Sequence, residues 1–252
     1  RISDYTAQWW VARHYGSGLP CEEDDAGIPL LGRLLMRATL MGLVAWFAYR
    51  RHAAMAAGMA LARAHGMHDL LANLTGNLGF LMMRKGNIPV ALRHFSDAVQ
   101  QSTGYVKFGP TYDRAEALLR VGLANEARYL LESVIGEVAT AGFAVDTAEW
   151  HLMLAHAALA EGDSASALSF ARTAFAEFRK QSRPRWALLA EQLQIRARWA
   201  SGERTAKLAT AARDAHAKLA TAGWQVAALH CLLVAGRVEL DRGRLQMARG
   251  DL

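Results

Sequence analysis

A histidine next to a cysteine, His230-Cys231, is the adjacency in this 252-residue chain that could offer a base to a thiolate. Nucleophilic chemistry needs the imidazole within reach of the sulfur, and neighbours on a helix point about 100° apart. Cys231 therefore reads as a small core residue. Cys21 precedes Glu22, Glu23, Asp24 and Asp25, whose charge raises the thiol pKa and makes a poor nucleophile. The same four acids suggest calcium, but an EF-hand needs alternating ligands, a glycine and a distant glutamate. The stretch reads as a solvated loop. His65 and His68 straddle a turn at Gly66, and His151 and His156 are five apart with no HExxH pattern. Neither GxxxxGK[ST] nor GxGxxG after a strand occurs. The expectation is no metal, no cofactor and no catalytic residue within these residues.

Surfaces then matter more than reactive groups, and the elements that would position them are helices. Gly86, Gly122, Gly162, Gly202 and Gly243 are spaced by 36, 40, 40 and 41 residues. A second series, Gly66, Gly104, Gly142 and Gly223, is interleaved, with Arg183-Pro184 where one member is missing. An aromatic follows this second turn at Tyr105, Phe143, Trp186 and Trp224. Two turns per period of this length predict stacked helical hairpins, an α-solenoid. The pairs fall at about 30–49 with 52–65, 68–84 with 88–103, 110–121 with 124–141, 145–161 with 164–180, and 185–201 with 204–222. A sixth starts at 225–242 and runs to the end of the sequence. Gly86-Asn87 and Gly162-Asp163 look like helix stops followed by N-caps. Pro89 and Pro184 suit a first helical turn. Apolar residues recur at three- and four-residue spacing, as in Ala127, Leu130, Leu131, Val134, Ile135 and Val138.

Composition agrees with an all-α protein: 52% hydrophobic, 21% charged, 5 prolines and few β-branched residues. Residues 1–28 are the least regular part, with Trp9 and Trp10 as possible core caps, and 29–252 form the repeat domain. Two unlike cysteines are no disulfide framework and fit a reducing compartment, so the expected place is the cytoplasm. The first residues lack the basic start and apolar core of a signal peptide. The longest apolar run, Ala38 to Tyr49, is short of the roughly 20 residues that span a bilayer. A start at Arg1 and an end inside a helical pattern suggest a piece of something longer. The +6 net charge is uneven: 14 basic and 16 acidic residues over 1–171, against 15 and 7 over 172–252. That contrast suits either an acidic partner or a solvated helix surface. The aromatic-interleaved loops of single-strand nucleic-acid binders are not evident.

Aligned on the first glycine series, the repeats show further order. Small residues stand seven before the turn (Gly79, Ala115, Ala155, Gly236) and five after it (Ala91, Ala127, Ala167, Ala248). Four further on come Phe95, Leu131, Ala171 and Leu252. The pattern resembles the tetratricopeptide repeat and is fullest over 72–103. The resemblance implies a right-handed solenoid of about six antiparallel helix pairs. The fifth repeat departs from it: Ile195 takes the small position, and Leu208 and Ala212 suggest one inserted residue. The periods also exceed the usual one, so the helices are expected to be longer.

A narrower likeness lies in Asp113-Arg-Ala-Glu-Ala-Leu-Leu119 with Gly122-Leu-Ala-Asn-Glu-Ala127, in Ala148-Glu149, in Ala158-Ala-Leu-Ala-Glu-Gly-Asp163 and in Phe178-Arg-Lys-Gln-Ser-Arg-Pro-Arg-Trp186. These are similar to the helical region of actinobacterial CHAT proteins. The resemblance covers about residues 70–250 and implies a sensing or recruiting arm ahead of a caspase-like protease domain. Similar arrays occur in bacterial transcription regulators and signalling ATPases, which stay open as the alternative.

The tetratricopeptide likeness also implies that the first helix of each pair lines a groove for a protein or peptide ligand. By register that groove takes Asn73, Phe80 and Arg84, then Tyr112, Glu116 and Arg120, then Glu149, Leu152 and His156, then Gln192, Arg196 and Trp199, and finally His230 and Arg237. Arginine forks hold carboxylates or carbonyls, and aromatics anchor interfaces. An extended acidic or C-terminal peptide suits Arg196, Trp199 and Arg237. The bland reading, ordinary half-buried helix residues, stands beside it.

Overall fold

The computed structural model describes residues 55–251, apart from 143 and the side chains of 144–146. The chain divides into two compact units, Arg1–Ala57 and Gly58–Leu252. The second is treated below. Trp9, Trp10, the Cys21–Asp25 stretch, the apolar run at 38–49, the expected helix at 30–49, Phe143 and Leu252 lie outside the described residues.

After helical residues 58–64 come ten helices. They are α1 (His68–Arg84), α2 (Ile88–Gln101), α3 (Phe108–Arg120), α4 (Ala124–Thr140) and α5 (Ala144–Ala160), then α6 (Ser164–Lys180), α7 (Pro184–Ala200), α8 (Ala206–Thr221), α9 (Gln225–Asp241) and α10 (Leu245–Asp251). A short 3₁₀ turn, Gly104–Lys107, precedes α3. There is no strand among the described residues. Each helix packs on the next, and each odd helix also packs on the next odd one: α1 on α3, α3 on α5, α5 on α7, α7 on α9. The odd helices thus make one continuous layer and the even helices sit behind it, which is the organisation of an α-solenoid.

The glycines set the rhythm through backbone shape. Both series have left-handed φ, as at Gly86 with 79°. That conformation turns the chain so that the Asn87 N–H reaches the carbonyl of Met82 at 2.9 Å, closing the helix end. The position without glycine is filled by Ser182, at φ 55°. The expected caps form: Asn87 accepts from Val90 N–H at 3.4 Å and Asp163 from Ser166 N–H at 3.0 Å. Pro89 and Pro184 occupy first turns. Two starts differ from expectation by two residues. α8 begins at Ala206 rather than 204, behind its Thr205 cap. α3 begins at Phe108 rather than 110, because Pro110 fits within a first turn, where no N–H is needed.

The core is a chain of clusters strung along the array and rich in alanine. Ala91, Ala115, Ala127, Ala155 and Ala167 are all buried, as are Phe95 and Leu131. The small position has a steric reason at Gly79. A Cβ there would lie 2.8 Å from both Cδ1 and Cε1 of Phe95. In the fifth repeat α7 and α8 are joined by five residues, 201–205, where the other odd-to-even links have three. The link is two residues longer, by the inserted residue and a later helix start, with Thr205 capping α8 by accepting from Leu208 N–H.

Candidate functional site

The odd helices bring the expected groove residues into columns. Offsets of 36, 40, 40 and 41 place Phe80, Glu116, His156, Arg196 and Arg237 at one register position. Within that column the charged members differ in company. Glu116 is held by Arg120 at 2.6 Å, one turn on. Glu149, in a neighbouring column, is held by Arg183 at 2.6 Å. Tyr112 packs its ring 5.8 Å from Trp150, inside a core cluster. Phe80 packs against Met83 and Phe95 in another. Asn73, Arg84 and His156 are exposed. Leu152 and Gln192 are placed differently from a surface expectation: both are buried, because the adjoining helices cover that arc of α5 and α7.

The C-terminal end of the column is another matter. Arg196 is half-buried, and burial pushes its pKa down. A guanidinium stays charged in spite of such a shift. Arg237 reaches back from α9 to stack over Trp199 of α7, 5.2 Å from the ring centre. Arg204 stacks on the same ring at 5.1 Å. It also donates to the Trp199 carbonyl at 2.6 Å and pairs with Asp241 at 2.5 Å. Among the described residues neither Arg196 nor Arg237 pairs with a carboxylate. Trp199 Nε1 and Gln192 Nε2 are buried donors with no acceptor. His230, on the neighbouring turns of α9, has its pKa lowered by burial and then by Arg196.

Arg204 and His230 aside, the cluster comprises two cations, Arg196 and Arg237, that pair with no carboxylate among the described residues, and two buried N–H donors of α7, Trp199 Nε1 and Gln192 Nε2, with no acceptor. Such a cluster suits an anion or a row of carbonyls, because an incoming acceptor removes the cost of the orphaned donors. Cys231 takes no part: it is fully buried, and burial, then Glu191, pushes its thiol up to about 12. No group of three or more His, Cys, Asp or Glu gathers to hold a metal ion among the described residues. No described helix is long and apolar enough to cross a membrane.

Two features were not read from the sequence. Arg204 reaches Trp199 only because the long α7–α8 link folds back, and nothing in the spacing announces that. Glu239 is buried in α9, with Arg213 at 3.4 Å, while Arg213 also grips Asp251 at 2.6 Å. An acid among Ala235, Gly236 and Val238 on the apolar face was the available signal.

No protein-family model matches the chain, and no curated protein matches it. Solved structures do. A Rap protein complexed with Competence and Sporulation Factor matches with a TM-score of 0.60 at 10% identity, over 73% of this chain. The match spans about half of that protein, 51% of its length. BtubC (BKLC) from P. vanneervenii gives a TM-score of 0.63 at 14% identity, covering 81% of this chain and 87% of that one. A Podosopora anserina putative kinesin light chain with nearly identical TPR-like repeats gives 0.55 at 19% identity, covering 70% and 89%. The fold of the described array is therefore that of tetratricopeptide-like repeat proteins.

Proposed function

We propose that the chain is a protein- or peptide-binding module whose ligand presents a carboxylate to Arg196 and Arg237. The observation that carries the reading is the donor cluster around Trp199: two cations in one register column, no acid paired to either among the described residues, and orphaned N–H groups on α7. Burial of Arg196 makes its unpaired charge a cost in the free protein that a bound carboxylate offsets, while Arg237 stands exposed beside it. The Rap structure, solved with Competence and Sporulation Factor, supports a ligand-holding use of the same architecture.

The wider assignment is a cytoplasmic sensing or recruiting arm of a CHAT-type cysteine protease. Its support is the sequence likeness over 113–127 and 155–187. A second reading, the sensor or scaffold arm of a bacterial transcription regulator or signalling ATPase, draws on the same repeat pattern. The reading frame on either side of residues 1–252 separates them. A strand-rich domain with a separated His and Cys favours the protease, and a DNA-binding or ATPase domain the regulator.

The ligand reading is tested with a panel of acidic peptides ending in a free carboxylate, followed by fluorescence anisotropy. Binding should weaken more than tenfold in Arg196→Ala, where the side chain is half-buried, in line with the ~2–5 kcal/mol lost when one partner of a buried charge pair is truncated. It should weaken by a smaller factor in Arg237→Ala, where the side chain is exposed. Amidating the peptide C-terminus and neutralising its acids should have the same effect. Peptides that bind equally well to both variants would sink the reading.

A further inference from the structure

A second surface lies on the edge of the array where α6 ends and α7 begins. From Phe178 to Ala190 the chain carries four cations, Arg179, Lys180, Arg183 and Arg185, and no acid. Arg172 stands seven residues before Arg179, on the same face of α6 and about 10 Å away, and extends the patch. Arg185 is eleven residues, about 16 Å, along α7 from Arg196, so this surface is separate from the donor cluster. Arg172, Arg179, Lys180 and Arg185 are exposed, and none pairs with a carboxylate among the described residues. Two acids beside the patch are engaged: Glu149 holds Arg183 at 2.6 Å, and Glu177 lies 3.0 Å from His151 Nδ1. Arg185 donates to the Ala222 carbonyl, which leaves its charge uncompensated. The other repeats show that the fold does not need these charges. Forty residues earlier α4 has Glu132, Ala139 and Thr140 in place of Arg172, Arg179 and Lys180. Forty-one later α8 has Arg213, Ala220 and Thr221, and Arg213 is already paired with Asp251 at 2.6 Å. α2 and α4 end with no basic residue in the last turn, so the helix dipole does not call for one at this edge. Massed cations repel one another, a cost that an anionic partner removes.

What surrounds the patch selects among anions. The rings at this edge are already in use. Phe178 is buried, and the Arg183 guanidinium covers it at 5.0 Å and Trp186 at 4.6 Å, so nucleic-acid bases find no open aromatic face to stack on. The neighbouring turns carry balanced charge: before the patch Lys107 pairs with Glu137 at 2.6 Å, and after it Lys218 lies 4.0 Å from Glu191. A nucleic-acid strand is charged every few ångströms along its whole length and would run on over those stretches unpaired. No large apolar side chain is exposed between 172 and 185 to enter a bilayer. A short run of carboxylates has the right extent, since three residues of extended chain cover about 10 Å, the spacing of Arg172 and Arg179. Arginine forks take carboxylates two bonds at a time.

We propose that this edge docks a short, extended acidic segment of a partner protein across Arg172, Arg179, Lys180 and Arg185. The test uses the full chain carrying Arg196→Ala and Arg237→Ala, so that the groove's cations are gone and the outcome does not depend on the groove. The probe is a fluorescent octaglutamate, acetylated and amidated at its ends, followed by anisotropy. Micromolar binding is expected at about 50 mM salt, weakening severalfold by about 200 mM as screening shortens the reach of surface charge. Adding Arg179→Glu with Lys180→Glu should weaken it more than about tenfold, and Arg172→Glu by a few-fold, in keeping with exposed ion pairs. Far-UV circular dichroism should be unchanged in each, because all three side chains are exposed. Arg93→Glu with Lys207→Glu, the same change in net charge at exposed cations elsewhere, should leave binding within about twofold. Absence of binding at the lower salt overturns the proposal. So does an equal loss in the two double variants, which would mean that net charge alone attracts the probe. An oligothymidylate of equal length that binds more tightly than octaglutamate, and loses its grip with Arg179 and Lys180, would also overturn it by making the partner a nucleic acid.

Discussion

In the α1–α2 hairpin the small residue stands on the first helix and the large one on the second: Gly79 leaves room for the buried ring of Phe95. In the α7–α8 hairpin the sizes are exchanged. Ile195 takes the place of the small residue, Leu208 takes that of the alanine after the turn, and Ala212 stands where the ring would be. All three are buried in one cluster. α1 and α2 run close along their length, and α7 and α8 less so. The seam between paired helices is therefore not a fixed sequence but a fixed filling. Bulk can sit on either helix, and the separation of the axes follows the side chains at the contact.

The largest test removes the ring. Phe95→Ala should cost about 3–5 kcal/mol, the range for deleting a buried aromatic, since Gly79 opposite has nothing with which to fill the hole. Ile195→Ala comes next, at about 2–4 kcal/mol, because Ala212 likewise offers no side chain to collapse inward. Urea melts followed by circular dichroism measure both. A near-neutral Ile195→Ala would mean that the fifth seam is loose and that the two hairpins are not equivalent solutions.

Gly79→Ala sharpens the comparison from the other side. The added Cβ meets Phe95 ring carbons at 2.8 Å and the His94 Cβ at 3.1 Å. A fully buried ring has no room to yield, so overpacking should outweigh the ~1 kcal/mol of helix propensity that alanine brings, leaving a loss of about 1–2 kcal/mol. Grafting the exchanged sizes should reveal coupling: Gly79→Ile with Phe95→Ala should be more stable than the two single effects predict by at least about 1 kcal/mol. Strict additivity in that double-mutant cycle would break the equivalence.

Much of this fold is written locally, which is why the sequence discloses it. Helix ends at 84, 120, 160 and 200 follow to within a residue from a glycine turn, while the end at 180 turns on Ser182, which the sequence does not mark, and Asn87 and Asp163 announce their starts by cap chemistry. Even the inserted residue of the fifth repeat shows, as a one-place shift of Leu208 and Ala212. The candidate site is legible only in part. Register alone puts Arg196 and Arg237 in one column. Which residues of a column stay available depends on neighbours brought in by turns: Arg120 occupies Glu116, Arg183 occupies Glu149, and Arg204 folds back to brace Trp199. Burial of Gln192 is likewise decided by the packing of α9, not by anything in α7 itself.

The smallest effect concerns the one interrupted turn. Ser182 holds φ 55° where the other turns of both series use glycine, and its hydroxyl donates no hydrogen bond among the described residues that would repay that backbone. What holds the turn lies next door. The Arg183 N–H reaches the Phe178 carbonyl at 2.9 Å, and its guanidinium lies 5.0 Å from the Phe178 ring and 4.6 Å from that of Trp186 while pairing with Glu149. A non-glycine residue in the left-handed region costs about 1–2 kcal/mol. Glycine removes that strain but adds entropy to the unfolded chain, about 0.5–1 kcal/mol. Ser182→Gly should therefore stabilise by about 0.5–1 kcal/mol and raise Tm by a few degrees, while Gly223→Ser, at φ 81°, should lower it by a similar amount. Because the Arg183→Ala change keeps the backbone N–H bond to Phe178 and removes only the guanidinium contacts, the gain should persist in Arg183→Ala. A gain that vanishes with Arg183 would mean that the side-chain clamp, rather than the left-handed residue, sets the geometry of this turn.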